Sequence, residues 1–148
     1  MKTYKREFKA TDTVDIQLRA MDRKDLEGVN LYELGLGLEK SAYAMTVVRE
    51  DGVIIGCGGI MYQGYRCAEA WALTSDLVPE YPMQCLHLTR VIMRKALKEL
   101  KLVRLEARVL TENKVSVKML ETMGFLCEGF SRKTPPNFKD RYTFAKVV

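Results

Sequence analysis

Apolar residues recur along this chain with two different spacings, and the spacing changes several times between its two ends. Runs in which apolar and polar positions alternate predict strands, because successive side chains of a strand point to opposite faces. Runs in which apolar residues recur every three or four positions predict helices. The predicted strands are 16–20, 45–49, 53–61, 68–75, 102–110, 125–130 and 141–147, and the predicted helices are 22–31, 86–100 and 113–123.

Local signals indicate where several of these elements begin and end. Asp22 and Asn113 are suitable N-caps for the first and last helices. The segment Glu50-Asp51-Gly52 predicts a tight hairpin, because glycine adopts a positive φ. Thr134-Pro135-Pro136-Asn137 predicts a loop, because proline donates no backbone N–H. Residues 1–12 are polar and basic, and they form either an arm or an added edge strand.

Glycines interrupt two of the apolar segments. Gly56, Gly58 and Gly59 lie within the predicted strand 53–61 and indicate a bulge or a close approach by another backbone or a ligand. Gly35 and Gly37 interrupt the segment after the first helix.

The order of the elements predicts the fold class. Strand 68–75, a loop, helix 86–100 and strand 102–110 follow one another, and the helix is long enough for a crossover between parallel strands. We therefore predict that the two strands are parallel neighbours. The whole pattern predicts an α/β fold, with a mixed, twisted sheet of about six to seven strands and helices on both faces.

Composition limits the class of protein. The 148 residues suit a single domain over 1–148, and 47% apolar with 29% charged residues is a globular balance. The sequence has no apolar run of eighteen residues and no leading signal-like segment, which favours a cytoplasmic protein without a membrane span.

Charge and cysteine content narrow the expected partners. A net charge of +5 favours anionic partners, and CoA, nucleic acid or an acidic protein all qualify. Nucleic acid is the weakest of these, because basic and aromatic residues do not interleave as in a stacking groove. The four cysteines have no CxxC spacing, so we expect reduced thiols and neither a metal site nor a disulfide framework.

One segment between a predicted strand and a predicted helix suits a bound phosphate. It reads Val78-Pro79-Glu80-Tyr81-Pro82-Met83-Gln84-Cys85-Leu86-His87. A helix N-terminus offers unpaired N–H groups and a partial positive charge. Glycines normally let a phosphate approach the backbone of such a turn, and this segment has none.

The last third of the chain resembles the GNAT family of N-acetyltransferases. The resemblance rests on Asn113, Ser116 and Gly124-Phe125, followed by Glu128-Gly129, and on residues 16–20 with Asp25-Leu26 as the family's first strand and helix. It implies the GNAT fold, in which two central parallel strands diverge and an acyl-CoA enters the gap. It also implies transfer of an acetyl group from acetyl-CoA to a primary amine, on a small molecule or a peptide. The family builds the amine side of its cleft from variable loops, and the resemblance implies such a loop at residues 32–43.

The resemblance also implies which residues bind the cofactor. Pro82, Cys85 and His87 stand where family members have a basic residue and two small ones, so acetyl-CoA binding is expected to be weak. The polar residues at the start of the last predicted helix, Asn113 and Ser116, are expected to contact the CoA arm. The complete set of implied cofactor residues is Leu77, Val78, Pro82, Met83, Gln84, Cys85, Leu86, His87, Asn113 and Ser116.

Candidate catalytic residues are carboxylates near the same strand ends. Glu69, Asp76 and Glu106 are candidates for the base that makes the amine neutral, and each is equally suited to a salt bridge or a cap. Family members often place a tyrosine four residues before the glycine of Gly124-Phe125, where it protonates the leaving thiolate. This chain has Leu120 there, and leucine cannot donate a proton.

A second, narrower resemblance leaves another class of function open. Trp71 with Thr74-Ser75-Asp76, the glycine-free loop, a helix with a basic stripe and Leu120 are similar to a phage-encoded GNAT-like branch that includes small internal virion proteins. It implies a catalytically degenerate protein that binds a protein partner, in the host cytoplasm or the virion. A homodimer is also compatible with the sequence. The basic stripe consists of Arg90, Arg94 and Lys98.

Overall fold

A computed structural model describes all 148 residues and contains one mixed sheet. Its seven strands are β1 (Thr3–Glu7), β2 (Tyr43–Arg49), β3 (Ile54–Gly64), β4 (Cys67–Thr74), β5 (Arg104–Leu110), β6 (Leu126–Thr134) and β7 (Lys139–Val147). Their order across the sheet is β1-β2-β3-β4-β5-β7-β6. The helices are α1 (Asp12–Asp15), α2 (Ala20–Asp25), α3 (Leu31–Leu38), α4 (Pro82–Glu99) and α5 (Lys114–Thr122).

Helices cover both faces of the sheet, as the sequence predicts. The larger core lies on the face that α4 and α5 cover, where Ile92, Leu105 and Phe125 are buried. A smaller core lies on the other face against the segment that carries α1 to α3, around Phe8 and Leu73. Neighbouring residues of a strand alternate between the two cores, so most of β3 and β4 reads as continuously apolar.

The predicted parallel pair is present and diverges. β4 pairs with β5 only through Cys67, Ala68 and Glu69, which lie opposite Arg104, Leu105 and Glu106. Beyond these positions β5 continues along β7, whereas β4 continues along β3. The prediction that 68–75 and 102–110 are diverging parallel neighbours is therefore confirmed.

The predicted strand 16–20 is wrong. Only one isolated bridge, between Leu18 and Ser75, joins this segment to the sheet. Its alternation has another cause, because Ile16 and Leu18 are buried in the smaller core while Gln17 is exposed. The edge position is occupied by β1, which pairs antiparallel with β2, so the edge-strand interpretation of residues 1–12 is the correct one.

The predicted helix 22–31 is also wrong. Helix α2 ends at Asp25, shortly before Gly28 with a φ of +77°, and Asp22 is inside it rather than at its cap. The expected loop 32–43 contains α3, whose N-cap Asn30 accepts from the Glu33 N–H at 3.0 Å. Gly35 permits this helix to pack, because a Cβ there would lie 2.1 Å from the Ala10 carbonyl oxygen.

Helix α4 begins four residues earlier than predicted, at Pro82. Proline is favoured at the first helical position because its missing N–H would have no intrahelical partner there.

The hairpin at residues 50–52 is confirmed, with Gly52 at a φ of +89° between antiparallel β2 and β3. Gly59 on β3 allows the Trp71 side chain to pack closely against the strand, since a Cβ there would lie 2.9 Å from the Trp71 indole.

No helix in the structure is both long and apolar enough to span a membrane.

Candidate functional site

A cleft of about 430 Å³ lies where β4 and β5 separate. On one face it is bounded by α4 and α5, through residues such as Leu88 and Leu120. On the other face Arg19 and Asp22 of the α2 segment border it. Successive β5 residues Ala107, Arg108 and Val109 all line it, so the cleft passes between the strands and opens toward both faces.

One wall of the cleft is a strand edge. β4 pairs with β3 through Thr74, but its pairing with β5 ends at Glu69. The edge of residues 70–73 that faces β5 therefore has no strand partner, whereas the backbone of Thr74 is engaged by Arg19 and Asp22. An extended ligand that carries amide groups can hydrogen bond to such an edge as an added strand does.

The N-terminus of α4 lies at the mouth of the cleft, where Pro82, Cys85 and Leu86 line it. No side chain caps this helix and its first turn has no acidic residue. The backbone N–H groups of Met83 and Gln84 have no protein acceptor, whereas that of Cys85 donates to the Tyr81 carbonyl at 3.2 Å. The first turn of α4 therefore presents backbone N–H donors, of the kind that bind anions, at the mouth of the cleft.

The loop before α4 differs from the predicted phosphate turn. Residues Val78–Glu80 form a 3-10 turn whose N–H groups are used internally. The Leu77 N–H donates to Ser75 Oγ at 3.2 Å, and the Val78 N–H donates to the Ser75 carbonyl at 3.3 Å. The available donors therefore belong to the first turn of the helix and not to the loop.

The structure separates the predicted cofactor residues into two groups. Those that line the cleft are Val78, Pro82, Cys85, Leu86, Asn113 and Ser116. Those that do not are Leu77, Met83, Gln84 and His87. His87 is exposed on α4, outside the lining of the cleft, so its ring does not crowd this space.

A polar network joins the open end of the cleft, where β4 and β5 end, to α2. The Asn113 side-chain oxygen accepts from the Ser116 N–H at 3.2 Å, which caps α5, and from Arg19 Nη2 at 3.4 Å. Arg19 also donates to Ser116 Oγ at 3.1 Å and, through Nε, to Asp22 at 3.0 Å. Asp22 in turn accepts from the N–H and hydroxyl of Thr74 at 2.7 and 2.6 Å.

Arg19 is a cleft residue that the sequence interpretation missed. Its guanidinium lies at the open end of the cleft. The loop position at which the resemblance leads one to expect a basic residue holds Pro82 instead. Its partner Asn113 is 94 residues away in the sequence, and no motif connects the two. Trp71 and Arg108 also line the cleft and were not predicted as site residues.

The three candidate bases lie beside the cleft and none lines it. Glu69 holds Arg108, a cleft residue, through contacts of 3.2 and 3.3 Å. Glu106 accepts a shorter bond of 2.8 Å from Arg104. Asp76 is exposed beyond the end of β4. Glu69 is thus the candidate with the most direct link to the cleft.

Two cysteines of the cleft are protonated thiols. Burial raises the pKa of Cys57 to about 12 and raises the pKa of Cys85 above its ordinary value. A thiol that remains protonated at neutral pH is a poor nucleophile. All four cysteines are free, as the sequence predicts. No group of three or more His, Cys, Asp and Glu side chains could hold a metal ion.

A second groove of about 370 Å³ continues from the mouth of the cleft between α4 and α5. Leu86, Met119 and Met123 line both spaces, so the two are continuous. Arg90 and Lys118 flank the groove, one on each helix. One residue of the predicted basic stripe is therefore part of a cavity wall.

Solved structures identify the fold. No family model and no curated protein matches the chain. Ard1 from Thermoplasma volcanium superimposes with a TM-score of 0.79 at 14% identity, over 100% of this chain and 99% of that one. A GNAT-family acetyltransferase from Streptococcus pneumoniae gives 0.67 at 20% identity, over 99% and 100%. Ribosomal-protein-S5-alanine acetyltransferase from Vibrio fischeri gives 0.66 at 18% identity, over 99% and 93%.

These similarities establish that the chain has the GNAT fold. The predicted α/β class, the mixed sheet and the helices on both faces are confirmed.

Proposed function

We propose that this protein is an acyl-CoA-dependent N-acyltransferase that transfers an acyl group, in the simplest case acetyl, to a primary amine. One observation carries the proposal. The cleft between diverging β4 and β5 opens onto both faces of the sheet, and its mouth is formed by an uncapped helix N-terminus. A donor and an acceptor can therefore reach the same point from opposite sides.

Each part of CoA has a matching feature. The pantetheine arm carries two amides and fits the unpaired edge of β4 beyond Glu69. The pyrophosphate fits the free N–H groups of Met83 and Gln84. The nucleotide fits the groove beside Arg90 and Lys118, whose cations suit its phosphate.

The transfer requires a neutral amine and a departing thiolate. The amine nitrogen attacks the thioester carbonyl, the new C–N bond forms, and the C–S bond breaks with its electron pair leaving on sulfur. The ammonium proton goes to a base, for which we propose Glu69 acting through a water, because its carboxylate lies beside the cleft and not in its lining. A thiol has a pKa of about 8.5, so its thiolate can leave and take a proton from water.

The acceptor approaches over the face that carries Glu69 and Arg108. Both Glu69 and Glu106 lie on this part of the sheet, and Arg104 and Arg108 pair with them. Such mixed charge suits a polar amine. Spermidine N-acetyltransferase from Vibrio cholerae and the S5-alanine enzyme share the fold, so a polyamine and a peptide N-terminus are two acceptors to test.

The first test is titration of the purified protein with acetyl-CoA by calorimetry. Trp71 is the single tryptophan and lines the cleft, so its fluorescence provides a second, local signal. We expect saturable binding that changes this fluorescence, weaker for dephospho-CoA, which lacks the phosphate facing Arg90 and Lys118. An absence of binding by acetyl-CoA and by CoA would overturn the proposal.

A second candidate function is a catalytically degenerate, phage-type GNAT protein that binds a protein partner. Leu120 in the cleft wall favours it, because a phenol is missing there. The internally bonded loop Val78–Glu80 also favours it. This candidate predicts that the protein lacks turnover with every amine tested. A pull-down in which a variant with a blocked cleft still captures a stoichiometric protein partner would support it directly.

The position of Leu120 leads to a prediction about the acid. Leu120 is 7% exposed and lines the cleft with Ala107 and Phe125, so a tyrosine there would extend into free space. A positioned general acid contributes about 10²–10⁴-fold, and we expect Leu120→Tyr to raise turnover near neutral pH. Steady-state assays with a panel of amines measure the change.

Leu120→Phe is the matched control, because it adds the ring without the hydroxyl. Equal turnover of the Tyr and Phe variants would show that the hydroxyl does not donate the proton.

A further inference from the structure

The lining of the cleft extends sideways from the gap between β4 and β5, beneath α4 and across β3 as far as β2. We define the lateral branch by Val47, Gly58, Ile60, Ile92 and Met93, all of which line the same cavity. Val47 lies two strands away from β4, a distance of about 10 Å.

The branch exists because the sheet beneath α4 has small residues. Gly56 and Gly58 on β3 pair with Thr74 and Ala72 on β4, and Ala70 pairs with Ile60. A sheet face under a helix is usually filled by branched side chains packed at close to crystal density. Here glycine and alanine leave space that the helix side chains above do not fill.

The walls of the branch are apolar. Val47, Ile60, Ile92 and Met93 are between 1% and 9% exposed, and no charged side chain accompanies them. Thr89 is the polar side chain nearby, and its hydroxyl already donates to the Cys85 carbonyl at 2.8 Å. A space of this chemistry suits hydrocarbon, because an apolar chain has no hydrogen bonds to lose there.

The branch begins where the reactive end of a donor would lie. Ala70 is the first β4 residue beyond the last pair with β5, and it also lines the cavity. A CoA arm that ran inward along the β4 edge would bring its thioester to this closed end of the gap, next to the lateral branch.

We propose that the lateral branch holds the acyl chain of the donor, and that the donor is a medium-chain acyl-CoA of about six to eight carbons, a length that matches the reach from β4 to β2. The inference rests on the proposed function and specifies its donor. The transfer is the one described above. The amine forms the amide C–N bond, the C–S bond breaks, and CoA leaves as the thiolate, which takes a proton from water.

The experiment compares acetyl-, butyryl-, hexanoyl- and octanoyl-CoA as ligands of the intact protein, by calorimetry and Trp71 fluorescence. Each methylene that leaves water tightens binding by about threefold to fourfold. We expect hexanoyl- and octanoyl-CoA to bind at least tenfold more tightly than acetyl-CoA. The heat-capacity change should become more negative with chain length.

Ile92→Phe fills the branch from above, and Val91→Phe is its matched control, because Val91 is 40% exposed on the outer side of the same helix. Ile92→Phe should remove the preference for long chains, so that hexanoyl- and octanoyl-CoA bind no more tightly than acetyl-CoA, whereas Val91→Phe should keep the preference. Val47→Phe fills the far end and provides the same test if Ile92→Phe does not fold.

The outcomes separate this inference from the proposed function. Acetyl-CoA binding without any gain from longer chains would overturn the inference alone, and so would a chain-length preference that persists in folded branch-filling variants. Failure of every CoA ester to bind would overturn both.

Discussion

Ala72→Phe is expected to weaken acetyl-CoA binding by at least about 100-fold, because the added ring would occupy the space of the pantetheine arm and remove one or two of its amide hydrogen bonds to the β4 edge, each worth about 0.5–1.5 kcal/mol. Ala72 lines the cleft on the unpaired edge of β4 and is nevertheless exposed. The ring therefore enters the cleft and not a packed core. Calorimetry measures the affinity, and thermal unfolding shows whether the fold is intact.

Ala42→Phe is the control for this prediction. Ala42 is exposed, lies before β2 and does not line the cleft, so the same substitution there should leave acetyl-CoA affinity unchanged. Full affinity in a stably folded Ala72→Phe protein would show that the ligand binds elsewhere.

The sequence predicts the part of the fold that depends on local pattern. Strands such as β5 are correctly found because their alternation reflects burial on one face and solvent on the other. The N-terminal third is different. Ile16 and Leu18 alternate like a strand, yet they pack onto the smaller core with only one bridge to the sheet. Burial of one side determines such a pattern, and pairing is not required for it.

The candidate site is less predictable, because its geometry comes from contacts between distant segments. Asn113 and Ser116 were identified as site residues, whereas their partner Arg19 comes from another part of the chain. The predicted phosphate turn spans the start of α4, but Pro82 starts the helix early, so the N–H groups without a protein acceptor are those of Met83 and Gln84. The lateral branch has no sequence motif at all, since small residues on two strands create it together.

The last prediction concerns the base. Glu69→Gln should lower kcat with a primary amine by about 100-fold or more at neutral pH, because a positioned general base contributes about 10²–10⁴-fold. Acetyl-CoA affinity should stay unchanged, since Glu69 does not line the cleft. The effect on stability should be at most about 1 kcal/mol, because the contact of Glu69 with Arg108 is a surface ion pair. Turnover should recover as the pH rises toward about 10, where the amine is neutral without a base.

Glu106→Gln is the matched control, because Glu106 lies directly opposite Glu69 in the last pair of β4 and β5 and also holds an arginine. The control should keep most of its activity, since its carboxylate is engaged by Arg104 at 2.8 Å and makes no hydrogen bond to a cleft residue. Equal losses in the two variants would assign the effect to the charge of this sheet face as a whole. A loss in Glu69→Gln that persists unchanged up to high pH would exclude Glu69 as the group that takes the ammonium proton.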